Sequence, residues 1–367
     1  MEGKVRVRVA LTLEQFWHRV PGGTAVAAVE MARSLAHHDI DLVGVAARHD
    51  DPPDERWRVP FPIAHLRLPR PLLYESWHRL RTPRVERATG PVDVIHATTM
   101  ATPPRTVPLV VTVHDLAWVD NPEHFTARGV RFFRRGFELV KRHADLVLCP
   151  SEATKRACSE HGIQPSRLRL VPLGVEVTPA SDAEVERVKE RYGLSRPYVM
   201  WTGTIEPRKN LEALARAFAR VGDNHDLVLV GPKGWNQDLE QVIRPLGDRV
   251  KALGFVPPSD LAPLYAGASV FCYPSLLEGF GFPVLEAMAQ GTPVVTSKGT
   301  STEELARDAG VLVDPRDHAS IAAGLGSLMD DPGYAEELSA AGRRRAAEYP
   351  WSRTAELLLD AYREVVA

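Results

Sequence analysis

The sequence predicts an α/β protein made of two doubly wound parallel-sheet domains that face each other across a cleft. Three observations predict this. Short Val/Leu-rich runs alternate with helical patterns along nearly the whole chain. The runs are close to continuously apolar rather than alternating, as strands covered on both faces must be. A chain of 367 residues is also longer than one ordinary core encloses, so two domains are expected.

In the first half, "KVRVRVALT", "IDLVGVAA", "VDVIHATT", "LVVTVHD", "ADLVLCPS" and "LRLVPLG" read as strands. Between the first two, "TAVAAVEMARSLAHH" spaces its apolar residues as a helix does. The second half restarts with "RPYVMWTGT", then "DLVLVGP", "VKALGFV", "ASVFCYPS", "TPVVTS" and "AGVLVDP". Strand, helix and strand in succession imply parallel sheets with right-handed crossovers. The seam falls near "GVEVTPASDAEVERVKERYGLSRP", where the strand signal stops and a charged helix follows. The expected domains are 1–176 and 177–350, with a terminal amphipathic helix over 351–367. Sheets of this kind bind ligands at the carboxyl ends of their strands, so the site is sought there.

Composition narrows the classes. Hydrophobic content of 44% and charged content of 25% suit a soluble globular protein. A formal charge of −2 gives no general pull toward nucleic acid, and no nucleic-acid partner is expected. The three cysteines, Cys149, Cys158 and Cys272, are far apart and without metal-ligand spacing, which fits a reducing cytosol. The opening "MEGKVRVRVALTLEQF" reads as a charged lead into a strand rather than a signal peptide. No apolar run approaches the ~20 residues that span a bilayer.

The stretch "SLLEGFGFPVLEAMAQGTPVVTS", residues 275–297, follows a strand and enters a helix expected over 283–290. Pro283 suits the first helical turn, and Gly291 suits the position just past its end. The loop Gly279–Phe282 then offers backbone N–H groups and the positive end of a helix dipole, a seat for an anion such as a diphosphate. Glu278 and Glu286 flank that seat. Carboxylates accept hydrogen bonds from hydroxyls, so a ligand with hydroxyls on both sides of a diphosphate would use both. A nucleotide sugar is such a ligand.

The phrase resembles the E-x7-E signature of retaining GT-B glycosyltransferases of family 4, which implies two Rossmann-like domains. The resemblance implies that Glu278 contacts the donor sugar and Glu286 the ribose. It also implies that amides of Phe280, Gly281 and Phe282, next to Gly279, meet the diphosphate or sugar. "WTGTIEPRKNLEAL" is similar to the family's G…RKN element and puts Arg208 and Lys209 at a strand end, where two cations would stabilise a departing diphosphate. Many members carry an arginine where this chain has Thr204, so Lys209 is the firmer assignment. "VPGGTAVAAVEMARSLA" puts Gly22 and Gly23 in the loop before the first helix and resembles the family's phosphate-touching PGG loop. "VVTVHDLAW" ends a strand with His114, which resembles the family's sugar-reaching histidine. Asp115 would orient it or cap the next turn, and His96 stays outside the assignment. The loop "GPKGW", residues 231–235, reads either as a rim for the base or as a plain turn. The family's terminal helix packs back on the first domain.

Other signals lead away. Asp39–Asp41 has D-x-D spacing but precedes a strand, which places it at the wrong end of the sheet. Walker and His-Glu-x-x-His motifs are absent. "RGVRFFRRGFELVKRH", residues 128–143, sets Arg128, Arg131, Arg135 and Arg142 at helical spacing, with Phe133, Phe137 and Val140 on another face. It reads as a solvated helix packed on the sheet or as a face that docks on anionic lipid.

The expected protein is therefore a retaining hexosyltransferase that needs neither metal nor cofactor, with GDP-mannose the first donor choice. Its acceptor would be a glycan, a lipid-linked molecule or a small molecule. It would work in the cytosol or at the inner membrane face, and no residue speaks to oligomeric state. Two rivals are a sugar-nucleotide epimerase of the same fold and a non-catalytic subunit that binds sugar nucleotides. Trp17, Trp57, Trp77 and Trp118 serve equally as sugar-stacking platforms or as core.

Overall fold

A computed structural model describes residues 6–18, 22–232, 234 and 238–367. The chain divides into two compact units, Met1–Gly174 with Trp351–Ala367, and Val175–Pro350. Lys233 and Trp235 of the "GPKGW" loop, and Val20 and Pro21 of the "VPGG" stretch, lie outside the described residues.

The first unit holds a seven-stranded sheet in the order β3-β2-β1-β4-β5-β6-β7. The strands are β1 (Arg8–Thr12), β2 (Asp41–Ala46), β3 (Ile63–His65), β4 (Val94–Ala97), β5 (Leu109–Thr112), β6 (Leu146–Cys149) and β7 (Leu168–Leu170). Every pairing is parallel. All residues of β4, β5 and β6 are buried, which is why their sequences lack polar alternation. β3 is the strand that sequence reading misses. It has three residues, none fully buried, and lies at the sheet edge. Gly44 admits it closely: a Cβ there would come within 2.8 Å of Ile63 Cγ1 and 2.9 Å of Leu13 Cδ1.

Trp57, Trp77 and Trp118 are buried and fill the core. Trp17 is half-buried and stacks on His49 with ring centroids 4.3 Å apart. In the helix Ala127–His143, Phe137, Leu139 and Val140 face inward, while Arg128, Arg131, Arg134, Arg135 and Arg142 are exposed. All three cysteines are buried free thiols. Among the described residues no helix is long and apolar enough to cross a membrane.

The terminal helix Trp351–Val366 packs on the helix Gly22–Leu35 and on β4. Its anchor is polar. His96, fully buried in β4, places Nδ1 2.7 Å from the Tyr362 hydroxyl and Nε2 2.8 Å from Thr112 Oγ1. Burial, helped by His114, holds the His96 imidazole down to about 3. A neutral ring with one donor and one acceptor then satisfies both partners. His96 is thus a structural residue.

The second unit holds a six-stranded sheet in the order β10-β9-β8-β11-β12-β13. Its strands are β8 (Tyr198–Thr202), β9 (Asp226–Val230), β10 (Val250–Gly254), β11 (Val270–Tyr273), β12 (Val294–Ser297) and β13 (Val311–Val313), again all parallel. The charged helix of the seam is Asp182–Tyr192, opened by a Ser181/Glu184 capping box and closed by left-handed Gly193. It is tied to the helix Pro258–Ala266 by fully buried Asp260, which accepts hydrogen bonds from Arg187, Arg191 and Tyr192.

Tyr362→Phe should leave His96 Nδ1 without its partner and cost about 1–2 kcal/mol. Denaturant unfolding of the full chain measures this, and an unchanged midpoint would remove the hydrogen bond as the anchor of the terminal helix.

Candidate functional site

Two strand ends of the second unit build the site. β8 runs into the turn Pro207–Lys209, and β11 runs into the loop 274–281 and then the helix Phe282–Ala289. The helix begins and ends one residue before the expected 283–290. Gly281 is the reason: it adopts φ 107° and ψ 44°, so helical geometry starts at Phe282. Only glycine serves there, since a Cβ would also come within 2.7 Å of Thr302 Cγ2.

The two loops are strapped together by the backbone. Leu276 N donates to Arg208 O, and Arg208 Nη1 donates to Leu277 O, both at 2.9 Å. Asn210, itself left-handed at φ 57°, donates from Nδ2 to Pro274 O at 2.9 Å and Pro315 O at 2.7 Å. Ser301 Oγ donates to Glu278 O at 2.9 Å. Loops fixed this way hold their side chains to one geometry.

Four of those side chains form a charge-balanced cluster. Lys209 Nζ lies 2.7 Å from Glu278 Oε1, and Arg208 Nη1 lies 3.2 Å from Glu278 Oε2. Arg208 Nη2 reaches Glu206 Oε1 at 2.7 Å. Lys209 Nζ also donates to the Tyr273 hydroxyl at 2.5 Å and sits 5.1 Å from the centre of that ring. Burial alone would raise the Glu278 carboxyl; Lys209 and Arg208 outweigh it and hold it down to about 2. Burial and the neighbouring Arg208 lower the Lys209 ammonium, with Glu278 opposing.

Glu286 lies in the second turn of the helix Phe282–Ala289. It is half-buried and accepts a hydrogen bond from the Tyr265 hydroxyl at 2.9 Å. Burial raises its carboxyl above the ordinary value, with the Tyr265 bond opposing. Among the described residues no protein acceptor pairs with the amides of Phe280 and Gly281. The Phe280 ring is buried, 5.4 Å from Phe282 and 6.1 Å from Tyr349, so only its backbone can serve a ligand. Gly279 is buried beside it.

Of the residues singled out from sequence, Arg208, Lys209 and Glu278 are therefore in direct contact, with Gly279, Phe280, Gly281, Phe282 and Glu286 following along one loop and helix. The remaining three belong to the first unit. Gly22 and Gly23 are exposed at the opening of Gly22–Leu35, Gly22 in a left-handed conformation at φ 64°. His114 lies two residues beyond β5, and its Nε2 donates to Thr98 O at 3.0 Å. Burial lowers its pKa, with the Thr98 bond and Asp115 opposing. Asp115 caps the next turn by accepting from Ala117 N at 3.0 Å. Sequence reading missed Glu206, Tyr273 and Tyr265. Glu206 stands two residues before Arg208 in the quoted element, a visible signal; the tyrosines are indistinguishable from core aromatics until their hydroxyl partners are seen.

The Glu278 carboxyl titrates below its ordinary 4.5, so the unfolded chain takes up that proton first. Its stabilisation is present in full above pH ~4.5 and lost as pH falls toward 2, and it amounts to about 3 kcal/mol at most. Thermal midpoints taken between about pH 7 and pH 3 should fall more steeply for the wild type than for Glu278→Gln. Equal slopes would remove this pair from the acid response.

Two family profiles match the chain: "Glycosyl transferases group 1" over residues 182–345 and "Glycosyltransferase Family 4" over residues 21–179. The chain is 32% identical to O-antigen chain mannosyltransferase B of Escherichia coli over 82% of each chain. It is 31% identical to D-inositol 3-phosphate glycosyltransferase of Acidothermus cellulolyticus over 94% of this chain and 86% of that one. The crystal structure of Anabaena HepE in complex with UDP-glucose superposes with a TM-score of 0.78 at 20% identity, covering 98% of this chain and 100% of that one, a likeness of fold. The strand-end site, the two parallel sheets and these relatives place the chain in the group 1, family 4 glycosyltransferases, with the GT-B fold.

Proposed function

We propose that this glycosyltransferase moves a hexose from a nucleotide-diphosphate sugar to a glycan, lipid-linked or small-molecule acceptor with retention of anomeric configuration. The observation that carries the reading is the contact of Lys209 and Arg208 with Glu278, next to amides that lack protein partners. Lys209 has a third N–H beyond those given to Glu278 and Tyr273, and that N–H would go to the diphosphate. The amides of Phe280 and Gly281 would meet the same group or the sugar, together with Gly279 and Phe282. Glu278, kept ionised, would accept hydroxyl protons from the sugar, and Glu286 those of the ribose.

In the reaction, the bond from the anomeric carbon to the phosphate oxygen breaks, and its electron pair leaves with the diphosphate. The acceptor oxygen bonds to that carbon on the same face and gives its proton to the departing phosphate. Charge then grows on the leaving group, where fixed cations are worth most. Lys209 and Arg208 would supply that stabilisation, so turnover is expected to persist in the presence of a chelator. His114, Gly22 and Gly23 are proposed to act with the donor on the strength of their motif likeness.

GDP-mannose is the preferred donor. Two relatives bear mannosyltransferase names, O-antigen chain mannosyltransferase B of Escherichia coli and MMP alpha-(1->4)-mannosyltransferase of Mycolicibacterium hassiacum. A lipid-linked acceptor would bring the exposed arginines of Ala127–His143 to an anionic surface, which salt-sensitive cosedimentation with anionic vesicles reads directly.

A panel of nucleotide sugars scored by thermal shift should pick out one donor, since a ligand of the folded state raises its stability. With that donor, Glu278→Ala should abolish turnover while bare GDP or UDP still binds. Lys209→Ala should lower turnover by roughly 10²–10³. Equal loss of bare nucleotide binding in Glu278→Ala would assign that residue a structural role instead. Free epimerised sugar nucleotide as the product would replace transfer with epimerisation.

A further inference from the structure

We propose that Tyr265 is a positioning residue for nucleotide recognition, fixing Glu286 so that one carboxylate oxygen is presented to the vicinal diol of a ribose. The inference rests on the donor reading above and deepens it. Tyr265 is 1% exposed, and its hydroxyl donates to Glu286 Oε2 at 2.9 Å. The tyrosine is itself held. Its ring meets Phe271 edge-on with centroids 5.2 Å apart, and its carbonyl accepts from Thr292 Oγ1 at 2.6 Å. The preceding carbonyl, of Leu264, accepts from the Tyr198 hydroxyl at 2.7 Å. A donor anchored from three directions leaves the carboxylate little freedom to rotate.

Among the described residues Glu286 Oε1 has no protein partner. A glutamate side chain on a helix surface samples several rotamers, and ordering it on binding costs free energy. Tyr265 removes most of that cost before the ligand arrives. Its contribution is therefore expected to appear only with ligands whose hydroxyls Glu286 receives.

That dependence gives the test. Titration calorimetry of the full chain would compare GDP with 2′,3′-dideoxy-GDP, with the corresponding UDP pair as a second arm. The wild type should favour the ribonucleotide. Tyr265→Phe should weaken ribonucleotide binding roughly two- to tenfold, the cost of immobilising one rotamer-rich side chain, and leave the dideoxy nucleotide unchanged. In a Glu286→Gln background the same substitution should add little. Replacement of Tyr265 by 3-fluorotyrosine keeps the hydroxyl and should restore the wild-type preference, which separates positioning from a packing defect. Equal weakening of both nucleotides by Tyr265→Phe, or no change in either, overturns the proposal. A wild type that binds both nucleotides of a pair equally overturns the ribose assignment, and Tyr265 with it, while the donor reading stands. A wild type that binds neither pair overturns the donor reading itself.

Discussion

The carboxylate of Glu278, buried between Lys209 and Arg208, is the interaction on which the rest of the site depends. Taking an ionised carboxylate out of water is costly, and two adjacent cations repay it only when the geometry is fixed. A buried ion pair is weak evidence for stability, because a well-packed apolar pair would serve the fold as well or better. What such a pair does provide is placement. With Glu206 on Arg208 and Tyr273 under Lys209, two acids and two bases hold one another within hydrogen-bond reach. The two acids offset the repulsion between Arg208 and Lys209, so the second unit can keep two cations at a strand end.

The fold supplies that placement through few devices. β8 and β11 are hydrogen-bonded neighbours in the sheet, so the loops that follow them emerge side by side. Left-handed Asn210 turns one loop and grips the other, and left-handed Gly281 turns the second loop into its helix. A side chain at Gly281 would strike Thr302, displacing the helix start from the loop that carries Glu278. Sheet adjacency, two backbone turns and one buried charge cluster thus form a single mechanical unit.

Much of this was legible in the sequence, for a physical reason. Strands buried on both faces must be apolar throughout, so central strands such as β4, β5, β6, β8, β9 and β11 stand out as runs, whereas three-residue, half-buried β3 at the sheet edge does not. The turn-and-helix grammar of "LEGFGFPVLE" was legible too, because glycine and proline report backbone geometry directly. Its helix start was displaced by one residue because proline tolerates more than one first-turn position while the positive φ of Gly281 sets the boundary. Side-chain pairing was not legible. Lys209 and Glu278 are 69 residues apart, and Tyr265 and Glu286 are 21 apart. Composition marks Glu278 as acidic and Lys209 as basic, yet only the three-dimensional path of two loops makes them partners. The same holds for His96, whose strand-end position resembles that of a reactive histidine until Tyr362 and Thr112 are seen to occupy both ring nitrogens.

The two glutamates of the E-x7-E stretch share a sequence context and diverge in environment. Cations hold the Glu278 carboxyl down to about 2, whereas burial pushes that of Glu286 upward. A residue so readily ionised cannot deliver a proton at neutral pH, so Glu278 is unsuited to general-acid catalysis. Glu286 accepts a hydrogen bond from the Tyr265 hydroxyl on Oε2. Both acids act as acceptors, one clamped by cations and the other by a phenol. In the transfer proposed above, the barrier would fall through stabilisation of negative charge on the leaving group. Lys209 and Arg208 stand at the strand end where such charge would gather.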